Sequence, residues 1–119
     1  MPSDPEFTAF ELQALEHIAP QFIGHEAAFR RQVDAAAVID WENTAVGFFT
    51  EVRINRSACP PVEFRQQGGT FEVEDVPEGV GVILWGQDGY LTTIEAYTFV
   101  GQPLEGVDLM TLKFVRLIE

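Results

Sequence analysis

The stretch that decides the fold is Gly79–Phe99, GVGVILWGQDGYLTTIEAYTF. It contains two β-rich runs, Val80–Trp85 and Tyr90–Phe99, joined by Gly86-Gln87-Asp88-Gly89. Asp88-Gly89 supplies the left-handed backbone positions that a tight antiparallel turn requires, so the stretch predicts a β-hairpin. Both runs are apolar at nearly every position, where a surface hairpin would alternate. We therefore expect both faces of the hairpin to be covered.

Two helices are predicted before residue 38. Thr8 and Glu11 fit a capping box, and Pro20 limits the helix that follows it. A second helix is expected from about His25 to Ala36, in an alanine-rich segment. The apolar stripes of the two helices are Leu12, Leu15, Ile18, Ala19 and Phe22 for the first, and Phe29, Val33 and Ala36 for the second.

From residue 38 onward the sequence has the period of strands. Val46–Ile54 and Thr70–Val76 alternate, the latter with Phe71 and Val73 inward and with Glu72 and Glu74 outward. The other expected elements are a strand at Val38–Trp41, a turn at 42–44, a loop at 56–61, a short strand at Val62–Arg65, a turn at Gln66–Gly69, a loop at 101–108, and a strand or a helix at Leu109–Ile118.

The order of these elements indicates the fold class. Two helices come first and about six strands follow, without helical crossovers. This segregation predicts an α+β fold, in which two N-terminal helices pack on a mainly antiparallel sheet of about five to six strands. Residues 1–119 have the length of one domain.

The charge distribution restricts the class of partner. Nineteen acidic residues against seven basic ones give a net charge of −12, and no Lys or Arg lies between Arg65 and Lys113. Such a surface repels nucleic acid and anionic lipid and attracts basic proteins, although solubility alone also explains an acidic composition. The first residues lack a secretory signal and Cys59 is the only cysteine, so we expect a cytoplasmic protein without a disulfide.

The sequence offers little for catalysis, and it predicts no metal and no cofactor. His17 and His25 lie apart without a ligand motif, and Cys59 has no neighbouring base. Glu72 and Glu74 share a strand face about 7 Å apart. That separation suits glycoside hydrolysis and equally describes a solvated strand edge.

Glu95 lies between Ile94 and Ala96 in the most apolar part of the chain. A buried carboxylate must be paired, hydrogen-bonded or protonated. One interpretation pairs Glu95 with an arginine across the sheet, Arg53 or Arg116. The other places it in a groove whose aromatic anchors are Trp85, Tyr90 and Tyr97.

Part of the chain carries a pattern made of Val46-Gly-Phe-Phe-Thr50, Gly79-Val-Gly-Val-Ile-Leu84, Asp88-Gly89, Leu91 and Ile94-Glu95-Ala-Tyr97. It resembles a group of small bacterial proteins without an established activity that share GxGFxT…GxGxxLxxxDGxLxxLExY. The resemblance covers residues 38–99, with Ala96 in place of a glycine and Ile94 in place of a leucine. It implies a shared fold and no catalytic residues, and it directs attention to Glu95, Tyr97 and Asp88-Gly89.

Three hypotheses of function follow. The first is a non-enzymatic module that binds a basic protein, with an immunity-type inhibitor of a basic nuclease toxin as its sharpest version. The second is a small-ligand domain that uses an aromatic groove, and the third is a carboxylate-based hydrolase. The chain is expected to be a monomer or a homodimer. The candidate site residues are Trp85, Tyr90, Glu95, Tyr97, Glu72 and Glu74.

Overall fold

The computed structural model describes residues 7–44, 47–73, 76–98 and 114–117. Two helices precede six strands, which confirms the α+β class. The elements are α1 (Ala9–Ile18), a 3₁₀ turn (Ala19–Gln21), α2 (Glu26–Ala35), β1 (Ala37–Thr44), β2 (Gly47–Arg53), β3 (Gly68–Val73), β4 (Val76–Gln87), β5 (Tyr90–Thr98) and β6 (Phe114–Leu117).

The strands form one sheet in the order β1-β2-β5-β4-β3-β6, and every neighbouring pair is antiparallel. The predicted hairpin, β4 with β5, lies at its centre. Asp88 and Gly89 have φ angles of 56° and 91°, so both central residues of the turn are left-handed, as a two-residue turn between twisted strands requires.

The first helix begins as predicted and buries the predicted stripe except at Leu12. Thr8 and Glu11 form the capping box, and the helix gives way to the 3₁₀ turn that contains Pro20. Leu12 is 48% exposed, whereas Phe10 and Ala14 are buried. Leu15, Ile18, Ala19 and Phe22 are buried as predicted. The prediction is wrong at Leu12, because the first turn of the helix instead packs Phe10 against Phe71 of the sheet.

Three strand predictions need correction. Residues 42–44 continue β1 and pair with β2, where a turn was expected. The segment 62–65 is not a strand; it lies in the connection between β2 and β3, and the Val62 N–H donates to the Gly89 carbonyl oxygen at 2.8 Å. β3 begins at Gly68, inside the expected turn. Residues 114–117 of the C-terminal segment are a strand paired with β3, and Glu74 and 101–108 lie outside the described residues.

The core lies between the two helices and one face of the sheet, here called the inner face. Phe22 and Phe29 stack at 4.1 Å between ring centroids, and Phe64 packs edge-on against both. Phe10 on α1 meets Phe71 on β3 at 6.1 Å. The buried inner positions of the sheet are Val38, Phe48, Thr50, Val52, Phe71, Val80, Val82, Leu84, Leu91, Ile94, Ala96 and Thr98.

The opposite side of the hairpin is only half-buried. Ile83, Glu95 and Tyr97 have intermediate exposure, and Trp85 is 38% exposed. The expectation that both faces are fully covered is therefore wrong for this side, whose aromatic and aliphatic side chains partly shield one another.

Candidate partner-binding face of the sheet

The side of the sheet that points away from the helices, here called the outer face, is built from rows of side chains on neighbouring strands. The strand register defines three rows in the described residues, running from β1 towards β3. They are Asp40, Glu51, Thr93 and Trp85; Glu42, Phe49, Glu95, Ile83 and Gly68; and Gly47, Tyr97, Gly81 and Thr70.

The alternation of strand residues places these side chains outward. In β2, Phe48, Thr50 and Val52 are buried, while Glu51 and Arg53 are exposed. A one-residue shift of register would exchange the two sets, so burial of the inner set fixes which carboxylates reach the outer face.

Glu95 and Trp85 are joined on the outer face. The Trp85 indole Nε1 donates a hydrogen bond to Glu95 Oε1 at 3.0 Å, between diagonal neighbours on β4 and β5. The arginine pairing expected from the sequence is not what the structure shows. Arg53 is exposed and makes no ion pair with Glu95, and Arg116 lies on β6, three strands from β5 and thus about 14 Å away by strand spacing.

Tyr97 lies beside Glu95 on the same strand face, and its ring covers Gly81. A Cβ atom at position 81 would approach Tyr97 Cζ to 2.4 Å. The glycine therefore provides the space in which this ring lies flat across β4.

Tyr90 belongs to a different part of the molecule. Its hydroxyl donates to the Cys59 carbonyl oxygen at 3.1 Å, and the Arg56 guanidinium carbon lies 4.8 Å from its ring centroid. Tyr90 thus holds the connection between β2 and β3. Of the four residues predicted to line one groove, Trp85, Glu95 and Tyr97 lie together on the outer face, and Tyr90 lies apart from them.

The paired carboxylates proposed for hydrolysis are described only in part. Glu72 is half-buried on β3, at the position that pairs with Arg116 of β6. Glu74 lies outside the described residues.

The outer face carries an excess of negative charge. Its carboxylates on β1, β2 and β5 face a single guanidinium, Arg53, among the side chains described there. The ion pairs described in the chain lie instead on the helices, the loops and the hairpin turn. The carboxylates concerned are Asp40, Glu42, Glu51 and Glu95.

Two buried polar side chains have structural roles that the sequence did not reveal. Gln32 on α2 is fully buried; its Nε2 donates to the Pro60 and Gly89 carbonyl oxygens at 3.0 and 2.9 Å, and its Oε1 accepts from the Leu91 N–H at 3.0 Å. It connects helix, loop and hairpin. No local motif signals this, because each partner is at least 28 residues away.

Glu11 is the second buried polar side chain. Its Oε1 accepts from the Thr8 N–H at 2.8 Å, and its Oε2 accepts from the Thr50 hydroxyl on β2. Burial raises the pKa of the Glu11 carboxyl, against the opposing effect of these hydrogen bonds. The capping box was recognisable from sequence, but the contact with β2 was not.

Two clefts border the connection between β2 and β3. The larger measures about 500 Å³ and is lined by His25, Glu63, Phe64, Gly86 and Asp88, among others. The smaller, about 240 Å³, shares His25 and Glu63 with it. Neither of these clefts is lined by Trp85, Glu95 or Tyr97, so the aromatic residues of the outer face form a surface and not a wall of either cleft.

Comparison with protein-family models, with curated proteins and with solved structures gave no match to this chain. Among the described residues, no helix combines the length and the apolar character needed to cross a membrane. The same residues contain no cluster of three or more His, Cys, Asp or Glu side chains arranged to hold a metal ion.

Proposed function

We propose that this protein is a non-enzymatic binding module whose outer sheet face docks a basic protein. One observation carries the proposal: the outer face combines an aromatic centre, Trp85 and Phe49, with carboxylates that have no described ion pair. Unmatched negative charge of this kind is complementary to a cationic surface.

The arrangement has the composition of a protein interface. Aromatic side chains supply most of the contact energy at the centre of an interface, and a polar rim supplies orientation. Here Phe49 lies beside the exposed Glu51 on β2 and opposite the exposed Glu42 on β1, and Trp85 lies on β4, diagonal to Glu95. A basic nuclease toxin presents this kind of cationic surface, so an immunity-type inhibitor is the most specific version of the proposal.

The test uses two variants that each remove two negative charges. Glu42→Gln with Glu51→Gln changes the outer face, and Glu16→Gln with Asp34→Asn changes the helical side by the same amount. Immobilised wild type and both variants would be used to capture proteins from a lysate of the source cells. The bound fractions would be compared as the salt concentration rises from about 0.05 to 0.5 M, over which surface charges become screened.

We expect a basic protein to be retained by the wild type and the helical-side variant, and to be lost from the outer-face variant and at high salt. Retention that is equal for both variants, or a partner that is itself acidic, would contradict the proposal. So would the absence of any basic protein that distinguishes the two variants.

Binding of a small ligand is a second candidate function, favoured by the size of the larger cleft. Its volume of about 500 Å³ lies in the range of ligand sites. The Phe64 ring lines this cleft and packs against Gly86, where a Cβ atom would lie 2.3 Å from Phe64 Cδ2. A fragment screen by NMR tests this: hits that shift residues of the cleft and disappear in Gly86→Ala would support it.

A further inference from the structure

We infer that Glu95 is the centre of a site for one arginine side chain of the basic partner. The inference rests on the proposed function, because it specifies which group of that partner the outer face recognises. It follows from the surroundings of Glu95, which differ from those of the other outer-face carboxylates.

Glu95 lies at the middle of the outer face. Its direct cross-strand neighbours are Phe49 on β2 and Ile83 on β4, and Tyr97 follows two residues later on its own strand. These side chains are half-buried, as Glu95 is, whereas Glu51 is exposed. A charge in partly desolvated surroundings interacts more strongly with a counter-ion than a fully solvated one does.

The Glu95 carboxylate is held by one donor of the protein, the Trp85 indole. Trp85 Nε1 donates to Oε1 at 3.0 Å, and no second donor to the carboxylate is found among the described residues. The two oxygens of a carboxylate provide about four acceptor positions, so the indole occupies only one of them. The indole fixes the orientation and leaves Oε2 for a donor from outside.

Flat aromatic rings beside the carboxylate favour arginine over lysine. A guanidinium is planar, stacks on aromatic faces and presents several N–H donors in a fixed geometry, while an ammonium is a strongly hydrated point charge. The Trp85, Phe49 and Tyr97 side chains all neighbour Glu95 on the same face. A guanidinium can pair with Glu95 and contact a ring at the same time.

Among the side chains that the structure describes, none supplies this cation. The arginines with described ion pairs bind Glu16, Glu26, Glu63 and Asp88, away from the outer face. Arg53, the guanidinium described on this face, is at the end of β2 opposite Ala37. The counter-ion of Glu95 is therefore expected from the partner.

The experiment uses two dye-labelled peptides: a ten-residue Gly-Ser peptide with three arginines, and the same peptide with three lysines. Their binding to the full chain is measured by fluorescence anisotropy at low salt. We expect the arginine peptide to bind about tenfold more tightly, which is the increment of one cation–π contact with its hydrogen bond.

Two variants of equal charge isolate the site. In Glu95→Gln the preference for arginine should disappear, so that the two peptides bind with equal and low affinity. In Glu51→Gln both peptides should weaken while the preference persists. Trp85→Phe, which keeps a ring but removes the N–H that positions Glu95, should reduce the preference and serves as an independent variant if Glu95→Gln does not fold by circular dichroism.

The outcomes separate this inference from the docking function. Equal affinities of the wild type for the two peptides, both weakened by Glu51→Gln, would overturn the arginine site and leave the docking face standing. A preference that survives in Glu95→Gln would also overturn it. No binding of either peptide at about 20 mM salt, where screening is weak, would count against both proposals.

Discussion

Removing the buried Gln32 amide should destabilise the protein, because it removes the hydrogen bonds between the second helix and the central hairpin. In Gln32→Ala the Leu91 N–H loses its acceptor inside the protein, while the Gly89 carbonyl oxygen keeps a second donor, the Val62 N–H. The Pro60 carbonyl belongs to an exposed residue and can turn to water. The loss of stability therefore comes mainly from one buried N–H donor without an acceptor and from the volume of the missing amide.

A stranded buried donor costs about 1–3 kcal/mol, and the lost packing adds to it. We expect the free energy of unfolding to fall by about 2–4 kcal/mol in total. Urea denaturation, followed by circular dichroism, measures the change. An unchanged m-value would show that the wild type and Gln32→Ala expose the same surface when they unfold.

Gln21→Ala is the matched control. The Gln21 side chain also bonds the backbone of a strand, but it is exposed. Its Nε2 donates to the Gly68 carbonyl oxygen at 2.6 Å, and its Oε1 accepts from the Gly68 N–H at 3.1 Å. Its loss returns both groups to water and should cost about 1 kcal/mol or less. Equal losses in the two variants, or a loss under about 1 kcal/mol in Gln32→Ala, would refute the argument that burial decides the cost.

Three further predictions concern single substitutions. Burial raises the pKa of Glu11 in the folded protein above its unfolded value of about 4.3. The free energy of unfolding of the wild type should therefore fall relative to that of Glu11→Gln as the pH rises from about 4.3 through the folded pKa, and the difference should persist at higher pH. A difference in stability that does not change between about pH 4 and 8 would contradict this. Gly81→Ala should push the Tyr97 ring off β4, seen as shifted ring resonances in the NMR spectrum, and an unmoved ring would count against the close approach. Gly89→Ala should destabilise by about 1–2 kcal/mol, since φ is +91° and a Cβ would lie 2.4 Å from Pro61 Cβ, and calorimetry that finds no loss would argue against the left-handed turn.

The parts of the fold that the sequence predicts correctly are encoded by short-range chemistry. Asp88-Gly89 and the Thr8–Glu11 capping box each specify a local geometry whatever the rest of the chain does. The strand β2 is predicted because its alternation directly records which face is buried.

The errors concern features that only tertiary contacts decide. Val62–Arg65 has the composition of a strand, but its backbone meets the hairpin turn and not a strand edge. Leu12 and Phe10 are equivalent in sequence terms, and the position of α1 over β3 selects Phe10.

The same limit applies to the candidate site. Trp85, Glu95 and Tyr97 lie on one face of the sheet, as the sequence predicts, because they share one hairpin with period-two spacing. Their neighbour Phe49 was missed, since it comes from β2, which is distant in sequence. Tyr90 lies apart from these residues, because its hydroxyl bonds to a loop that cannot be placed from the sequence.

The central claim is that the outer face is where a basic partner binds, and an NMR titration tests it most directly. The amide shifts of the ¹⁵N-labelled protein would be followed as the three-arginine peptide is added. We expect the largest changes at Phe49, Glu51, Ile83 and Glu95, together with the Trp85 indole N–H. Changes concentrated on α1 and α2, or around the cleft at His25, with the outer-face signals unmoved, would contradict the account.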